Sequence, residues 1–228
     1  MDAAGIEPGD LVVDVGAGRG AITAELVRRR AEVWAVEADP LLAAVLRERY
    51  EKCVRVVEAD ARRLNWPQRP FAVVANLPFA GAAEIPGSLL AGPAIPLRHA
   101  EVVVQWELAT KRSAIWPSTL LGVVWGALYE LRLAGRLTAS AFAPPPSVDA
   151  GVLRAVRRPD PLVPAGAHAR YRSFVRRAFT ARAPLRRVLP ARAVKQLADE
   201  LGFSPAALPR DLDAHQWAEL FKRVRAIS

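Results

Sequence analysis

The stretch LVVDVGAGRGAITAELVRRR, residues 11–30, decides the fold because it joins two patterns of different period. Residues 11–15 are an apolar run of the length of a buried strand. A glycine-rich turn follows, and after it Ile22, Leu26 and Val27 share one face of a helix. The stretch therefore predicts a strand, a tight turn and a helix.

The same alternation continues along the chain. A second strand and helix are predicted at 31–37 and 39–50. Later strand-like runs lie at 53–60, 71–76 and 100–107. Strands that alternate with helices predict an α/β domain with a mainly parallel sheet. Residues 129–142 and 148–158 then predict an antiparallel strand pair. The segment PDPLVPAG, residues 159–166, is predicted to be a linker, and helical patterns follow it to the C-terminus. We therefore expect an α/β domain over 1–158 and a small all-α domain over 159–228.

The net excess of positive charge lies entirely in the last third of the sequence. Residues 1–150 hold 16 Lys and Arg against 17 Asp and Glu, whereas residues 151–228 hold 16 against 6. A basic region with aromatic residues among its arginines is typical of proteins that bind nucleic acid phosphates. The arginines expected to do so lie in YRSFVRRAFTARAPLRRV: Arg172, Arg176, Arg177, Arg182, Arg186 and Arg187. Pro184 predicts a helix break within this segment.

The single cysteine, Cys53, cannot form an internal disulfide, and no secretory leader opens the sequence, so we expect a cytoplasmic protein. Cys53 itself is predicted to be a small buried residue. No apolar run approaches the length of a membrane span, and no Cys and His cluster has metal-ligand spacing. We expect no membrane or metal partner, and no feature demands more than a monomer.

Three predicted strands end in an acid. Asp14, Glu37 and Asp60 follow one another at equal intervals of one strand-helix unit. The carboxyl ends of parallel strands meet at one edge of the sheet, where ligands of α/β proteins bind. The three acids are therefore expected in one crevice. The alternative is that they only cap helices.

The glycine turn leaves two cofactor classes open. Gly16, Gly18 and Gly20 have the spacing GxGxG, which only partly resembles the dinucleotide motif GxGxxG. An acid two residues before the first glycine opposes a pyrophosphate but suits a ligand with a cationic amino group, which favours S-adenosylmethionine. Glu37 would bind the ribose hydroxyls and Asp60 the adenine amine. The predicted cofactor site consists of Asp14, Gly16, Ala17, Gly18, Gly20, Glu37, Ala38, Asp60, Ala61 and Asn76.

The sequence NLPF, residues 76–79, begins at the last residue of the fourth predicted strand, so Asn76 is expected to face the same crevice. The Asn76 side chain and the Leu77 carbonyl offer oxygens that accept hydrogen bonds from a base amine. Pro78 stiffens the turn, and Phe79 offers a ring on which a base stacks. This combination predicts methylation of an exocyclic amine.

In this order and at these intervals, DVGAGRG, VEAD, EAD, NLPF and FAPPPSVDAGV resemble the rRNA adenine N6-dimethyltransferase superfamily. The superfamily contains the erythromycin-resistance (Erm) methyltransferases and the small-subunit rRNA dimethyladenosine transferases. The resemblance covers nearly the whole chain, and Phe79 with VVVQWELATKR is more similar to the Erm branch. It implies a Rossmann-like SAM-dependent methyltransferase domain and an RNA-binding helical domain.

The resemblance also implies roles for single residues. Asn76, Leu77, Pro78 and Phe79 match the catalytic tetrapeptide, and Phe142 matches an aromatic residue that closes on the other face of the base. The Erm branch implies mono- or dimethylation of one adenine in large-subunit (23S) rRNA, naked or in a precursor particle. This would confer resistance to macrolides, lincosamides and streptogramin B.

Members of the superfamily carry a longer segment before the first strand, including a QNFL-like element that covers the cofactor. Only ten residues precede Leu11 here, so we expect either a shortened chain or one without that cover. Three other functions remain open: a small-subunit rRNA dimethyladenosine transferase, a non-catalytic rRNA-binding assembly factor, and a SAM-dependent enzyme that acts on protein or a small molecule.

Overall fold

The computed structural model describes residues 5–50, 53–76, 89–90, 92–116 and 118–227. A seven-stranded sheet forms the centre of the α/β part, with strand order β3-β2-β1-β4-β5-β7-β6. Its strands are β1 (Leu11–Val15), β2 (Glu32–Glu37), β3 (Val54–Glu58), β4 (Phe71–Asn76), β5 (Leu97–Gln105), β6 (Tyr129–Leu137) and β7 (Ala150–Arg157). The predicted α/β fold with a mostly parallel sheet is confirmed.

Helices connect the parallel strands as predicted. Helix α1 (Ala21–Arg28) joins β1 to β2, and α2 (Pro40–Tyr50) joins β2 to β3. All five residues of β1 are buried, because the strand lies between β2 and β4 and is covered on its faces. Leu26 of α1 and Leu46 of α2 pack into the same apolar core as Val12 and Val33.

The C-terminal edge of the sheet is antiparallel. β7 runs antiparallel to β5, with Gln105 opposite Ala150, and β6 lies on the outer side of β7. β5 ends two residues earlier than the predicted strand, because helix α3 (Trp106–Ser113) begins directly after Gln105. Gly151 is required here, since a Cβ at this position would lie 2.5 Å from the Cβ of Ala109.

The chain divides into two compact units. One comprises residues 1–109 and 133–157, and the other comprises 110–132 and 158–228. The change at 157/158 lies one residue before the expected boundary, whereas the sequence analysis assigned 110–132 to the first domain. The structure groups this segment with the C-terminal helices, because helix α4 (Leu120–Gly126) packs against helices from residues beyond 158.

The second unit is helical. Its later helices are α5 (His168–Ala181), α6 (Leu185–Val188), α7 (Ala191–Leu201) and α8 (Ala214–Ile227). Trp125 of α4 and Trp217 of α8 are buried, and a Cβ on Gly126 would lie 2.8 Å from the Cβ of Ala214, so α4 and α8 approach closely. The predicted helix break is confirmed, since α5 ends at Ala181 and α6 begins after Pro184.

Cys53 is exposed, so the prediction that it is buried was wrong. Its backbone N–H donates to the carbonyl of Tyr50, the last residue of α2, and β3 begins only at the next residue. In the described part of the chain, no helix combines the length and apolar character needed to span a bilayer. Within the same residues, no group of three or more His, Cys, Asp or Glu side chains is arranged to hold a metal ion.

Candidate active site

The glycine turn after β1 is tied to the end of β2. The backbone N–H groups of Gly16 and Ala17 both donate to the carbonyl of Val36, at 2.9 and 3.1 Å. Gly16, Gly18 and Gly20 all have positive φ, which residues with a Cβ rarely adopt. The backbone of the turn is therefore held at the carboxyl edge of the sheet.

Two glycines of this turn have different surroundings. A Cβ on Gly18 would meet only the carbonyl oxygen of Gly16, at 3.9 Å, so the space above Gly18 is open to a ligand. A Cβ on Gly20 would lie 2.9 Å from Leu46 Cδ2 and 3.0 Å from the Tyr50 ring. Gly20 is needed for packing, whereas Gly18 allows a ligand to approach the backbone.

Glu37, the last residue of β2, binds the turn directly. Its Oε2 accepts a 2.7 Å hydrogen bond from the backbone N–H of Gly18. Its Oε1 accepts from the N–H groups of Ala38 and Asp39, at 2.8 and 2.9 Å. Because a carboxylate has about four acceptor sites and three are used here, about one remains for a ligand hydroxyl. The carboxylate of Glu37 therefore lies against the glycine turn, beside the open space at Gly18.

Asp14 lies beneath the turn and is fully buried. Its Oδ2 accepts a 2.6 Å hydrogen bond from the hydroxyl of Thr23 on α1. Its Oδ1 is buried and has no hydrogen-bond partner among the residues that the structure describes. Burial raises the pKa of Asp14 to about 6, against the lowering effect of the Thr23 hydroxyl. A nearby cationic group would stabilise this poorly compensated carboxylate.

Asp60 lies after β3 and is engaged with Arg62. Asp60 Oδ1 accepts from the backbone N–H of Arg62 at 2.9 Å, and Oδ2 lies 2.6 Å from Arg62 Nη2. These hydrogen bonds from Arg62 lower the pKa of Asp60 to about 2. Asp60 therefore caps the 3₁₀ turn Ala61–Arg63 in this structure, and Ala61 is buried behind it. A base amine would have to share this carboxylate with Arg62.

Asn76 ends β4 and is exposed. β4 pairs in parallel with β1, and Val15 lies opposite Ala75, so Asn76 and Gly16 both follow directly after the same pair. Neighbouring strands are about 4.8 Å apart. Asn76 is thus placed beside the glycine turn. Leu77, Pro78 and Phe79 lie outside the described residues.

Phe142 follows the 3₁₀ turn Ala139–Ala141 and is half-exposed, so it does not belong to the buried core. Its backbone N–H donates to the carbonyl of Ala139 at 3.2 Å, while the N–H of Ala139 donates to Asp149 Oδ1 at 3.0 Å. The Phe142 turn is therefore anchored through Asp149, which directly precedes β7.

The described residues fit S-adenosylmethionine. Open space lies above Gly18, the Glu37 carboxylate borders it, and Asp14 leaves an unpaired buried oxygen near the same strand end. A ligand that carries a cationic amino group, a sulfonium and a ribose would complement these groups. Two contributors were missed from the sequence: Thr23, which holds Asp14, and Arg62, which holds Asp60. Only the position of Thr23 in the first turn of α1 and of Arg62 two residues after Asp60 could have indicated them.

The six arginines predicted to bind RNA are exposed on α5, on α6 and in the turn between them: Arg172, Arg176, Arg177, Arg182, Arg186 and Arg187. Arg182 itself ends α5 with a left-handed backbone, φ 49°. None of the six forms an ion pair with another described residue. This part of the second unit therefore presents uncompensated positive charge to solvent.

Comparison with known proteins gives a consistent result. The sequence pattern of the family described as ribosomal RNA adenine dimethylase matches residues 1–225. The mycinamicin-resistance protein MyrB of Micromonospora griseorubida is 35% identical over 221 residues, which cover 95% of this chain and 70% of that protein. An rRNA methyltransferase of Streptomyces thermotolerans is 37% identical over 232 residues, covering 96% of this chain and 75% of that protein.

A solved structure shows the same architecture. The crystal structure of the 23S rRNA methyltransferase ErmE superposes with a TM-score of 0.84 at 32% sequence identity. The superposition covers 98% of this chain and 94% of that one. Both the sheet and the helical part of this chain therefore have counterparts in that protein.

Proposed function

Because the chain belongs to the ribosomal RNA adenine dimethylase family, we propose that it methylates N6 of one specific adenine in 23S rRNA with S-adenosylmethionine as methyl donor. Methylation there would confer resistance to macrolides, lincosamides and streptogramin B. The likeness to a mycinamicin-resistance protein and to the 23S rRNA methyltransferase ErmE supports this choice of substrate.

One observation carries the proposal: Asn76 and the glycine turn stand side by side at the carboxyl edge of the sheet. Gly16, Gly18 and Glu37 border the predicted cofactor position, and Asn76 borders the neighbouring position on β4. A methyl donor held at the turn would therefore be within reach of an amine held at Asn76. This juxtaposition supports a transfer reaction rather than simple RNA binding.

Several residues would hold the cofactor. Glu37 would bind its ribose, Asp60 its adenine amine, and the carboxylate of Asp14 would stabilise its positive charge. Bound S-adenosylmethionine supplies an electrophilic methyl group on a positively charged sulfur.

The chain's own contribution is positioning. The side-chain oxygen of Asn76 and the carbonyl of Leu77 would accept hydrogen bonds from the two N–H groups of the adenine amine. The lone pair of the amine would then point towards the methyl donor. Phe79 and Phe142 would hold the base between their rings after it has left its stack. Such a site needs no tuned general base, since the methylated amine loses its proton readily to water.

The second unit would supply RNA affinity. The exposed arginines of α5 and α6 have no acidic partner among the described residues, so phosphates can neutralise them. We expect the substrate to be rRNA that is naked or in a precursor particle, where the target base is accessible, and the chain to act as a monomer in the cytoplasm.

The test is transfer of labelled methyl groups from S-adenosylmethionine to protein-free 23S rRNA, with mass mapping of the modified base. Small-subunit rRNA and its immature particle serve as alternative substrates. Asn76→Ala should abolish transfer while RNA affinity is retained, and Asn65→Ala, which changes an exposed Asn before β4, should behave like the parent. Label confined to small-subunit rRNA would assign the chain to the other branch of the family. RNA binding without transfer to any substrate would indicate an assembly factor.

A further inference from the structure

A cavity lies in the first unit, where β5 ends and β7 begins. Its volume is about 410 Å³, and it is lined by Gln105, Trp106, Glu107, Arg136, Val148 and Asp149. The size falls within the range of small-ligand sites. None of these side chains belongs to the predicted cofactor site or to the catalytic tetrapeptide.

The strand register places this cavity next to Asn76. Asn76 lies opposite Val103 in the parallel pair of β4 and β5, and Gln105 is two residues further along β5. At about 3.3 Å per residue, Gln105 stands roughly 7 Å beyond the level of Asn76 on the neighbouring strand. A group bound at Gln105 would therefore adjoin a base bound at Asn76.

A prepared stacking surface forms one wall. The guanidinium carbon of Arg136 lies 4.8 Å from the centre of the Trp106 ring. Both Nε and Nη2 of Arg136 donate to Asp149 Oδ2, at 2.9 and 2.7 Å, so the guanidinium plane is held in place. The Arg136 side chain still keeps 58% of its surface accessible. Nucleic acid bases that are splayed out of a helix stack on such guanidinium planes.

The other polar groups indicate what would bind on this surface. The Gln105 side chain is exposed and offers both a donor and an acceptor, as is needed to read the edge of a base. Glu107 and Asp149 bring two carboxylates to the cavity, which disfavours a phosphate as its occupant. The chemistry therefore matches a heterocyclic base more closely than the RNA backbone.

The same wall is connected to Phe142. Asp149 uses Oδ2 to hold Arg136 and Oδ1 to accept from Ala139, whose carbonyl binds the N–H of Phe142. A base stacked on Arg136 would contact the side chain that pairs with Asp149, and Asp149 anchors the Phe142 turn. Occupation of the cavity would thus help to fix the ring that closes on the target base.

We propose that this cavity binds the base of a nucleotide flanking the target adenine, stacked on Arg136, and that Gln105 reads its edge and determines sequence preference. This inference rests on the proposed methylation of rRNA adenine. It assigns to Gln105 a role in specificity rather than in the transfer itself.

The experiment uses short hairpin RNAs that reproduce the loop around the mapped adenine. Each flanking nucleotide is changed in turn to the other three bases and to an abasic site, and kcat/KM is measured for the parent, Gln105→Ala and Arg136→Lys. Gln105→Ala should lower kcat/KM about tenfold on the preferred RNA and little on the others, so that the preference at one position collapses. Arg136→Lys keeps the charge but loses the planar guanidinium. It should therefore lower kcat/KM on every RNA that has a base at that position.

The abasic RNA separates base contact from structural damage. On that RNA the parent and both variants should have equal kcat/KM, because no base is present to be stacked or read. Gln68→Ala and Arg69→Lys are matched controls, since both residues precede β4 at the opposite edge of the sheet and Arg69 pairs with Glu32 at the start of β2. Neither should alter the preference.

Two results would overturn the proposal. An unchanged preference in Gln105→Ala would remove its role in specificity, and an equal loss on the abasic RNA would show that the variants only disturb the fold. Both results presuppose that the parent methylates the hairpins. If it methylates no rRNA at all, the proposed function fails first and this inference fails with it.

Discussion

The backbone N–H of Gly18 donates a 2.7 Å hydrogen bond to Oε2 of Glu37. This bond joins the turn after β1 to the end of β2, and two further N–H groups fix the other oxygen of the same carboxylate. The turn and the expected ribose acceptor therefore form one rigid structure before any ligand arrives, which reduces the ordering cost of binding.

Gly18→Ala should weaken the binding of S-adenosylmethionine at least tenfold, because a methyl group would fill the open space above the turn. The backbone cost of an alanine at φ +56° is matched by Gly5→Ala, where φ is +59° and no atom lies within 4 Å of the new Cβ. Isothermal titration of both variants checks this. Equal affinities in the two variants would show that the ligand does not approach Gly18.

Gly20→Ala should lower the free energy of unfolding by about 1–3 kcal/mol more than Gly9→Ala. Both glycines have φ near +85°, but only the Cβ at residue 20 would collide with Leu46 and Tyr50. Urea denaturation of the two variants isolates this packing cost. A smaller difference would mean that α2 shifts without loss of stability.

Asp14 should make the protein less stable as the pH rises from about 4 to 7. Its pKa is about 6 in the folded chain against 3.8 for the ordinary group, so the folded state binds the extra proton and loses this advantage as the carboxyl ionises. The full effect is about 3 kcal/mol. Urea denaturation across this range should show the slope in the parent and a flatter profile in Asp14→Asn. Parallel profiles would contradict the raised pKa.

The same titration should appear in cofactor binding. Because the ionised form of Asp14 attracts a cationic ligand, affinity for S-adenosylmethionine should increase between about pH 5 and pH 7 in the parent. In Asp14→Asn the affinity should be lower and nearly independent of pH over this interval. Titrations in buffers of equal ionic strength provide the measurement, and an unchanged pH profile in the variant would exclude Asp14 as the source.

Thr23→Val should destabilise the fold by about 1–3 kcal/mol, since Asp14 Oδ2 would lose its donor in a buried position. Thr23→Ser keeps the hydroxyl and removes only a methyl group, so most of the stability should return. Thermal and urea denaturation of both variants compare the two losses. If serine were as destabilising as valine, packing of the methyl group rather than the hydrogen bond would be responsible.

Replacement of Arg172, Arg176 and Arg177 by Gln should weaken RNA binding at low salt. The slope of log K against the logarithm of the salt concentration should become about 2–3 less steep. Arg223→Gln is a suitable control, because Arg223 already pairs with Glu200 at 3.0 Å. Binding is measured by filter retention at several salt concentrations. An unchanged slope in the triple variant would show that the RNA does not bind at these three arginines.

The strands could be predicted because burial leaves a local pattern. β1 and β4 were predicted with the bounds that the structure shows, since each is a short apolar run ended by a turn residue. The prediction that Cys53 is buried was wrong for a local reason. The apolar pattern does not show that the strand begins only one residue later, at Val54. The strand-end positions of Glu37 and Asn76 also followed from periodicity alone.

The detailed partners of the acids could not be predicted in this way. Whether a carboxylate faces a ligand or a neighbour depends on side-chain geometry, as in Asp60 with Arg62 and Asp14 with Thr23. The membership of 110–132 in the second unit depends on contacts with residues far along the chain, which no local pattern records. The cavity at Gln105 likewise arises from the meeting of three separate segments.

The discontinuity of the second unit limits how the chain can be dissected. A fragment that begins at residue 159 would lack α4, including the buried Trp125 and the close approach of Gly126 to Ala214. The apolar surface that α4 covers would then face water, and such surfaces promote self-association. A soluble RNA-binding fragment of this chain would have to carry 110–132 as well, joined to residue 158 by a short engineered linker in place of residues 133–157.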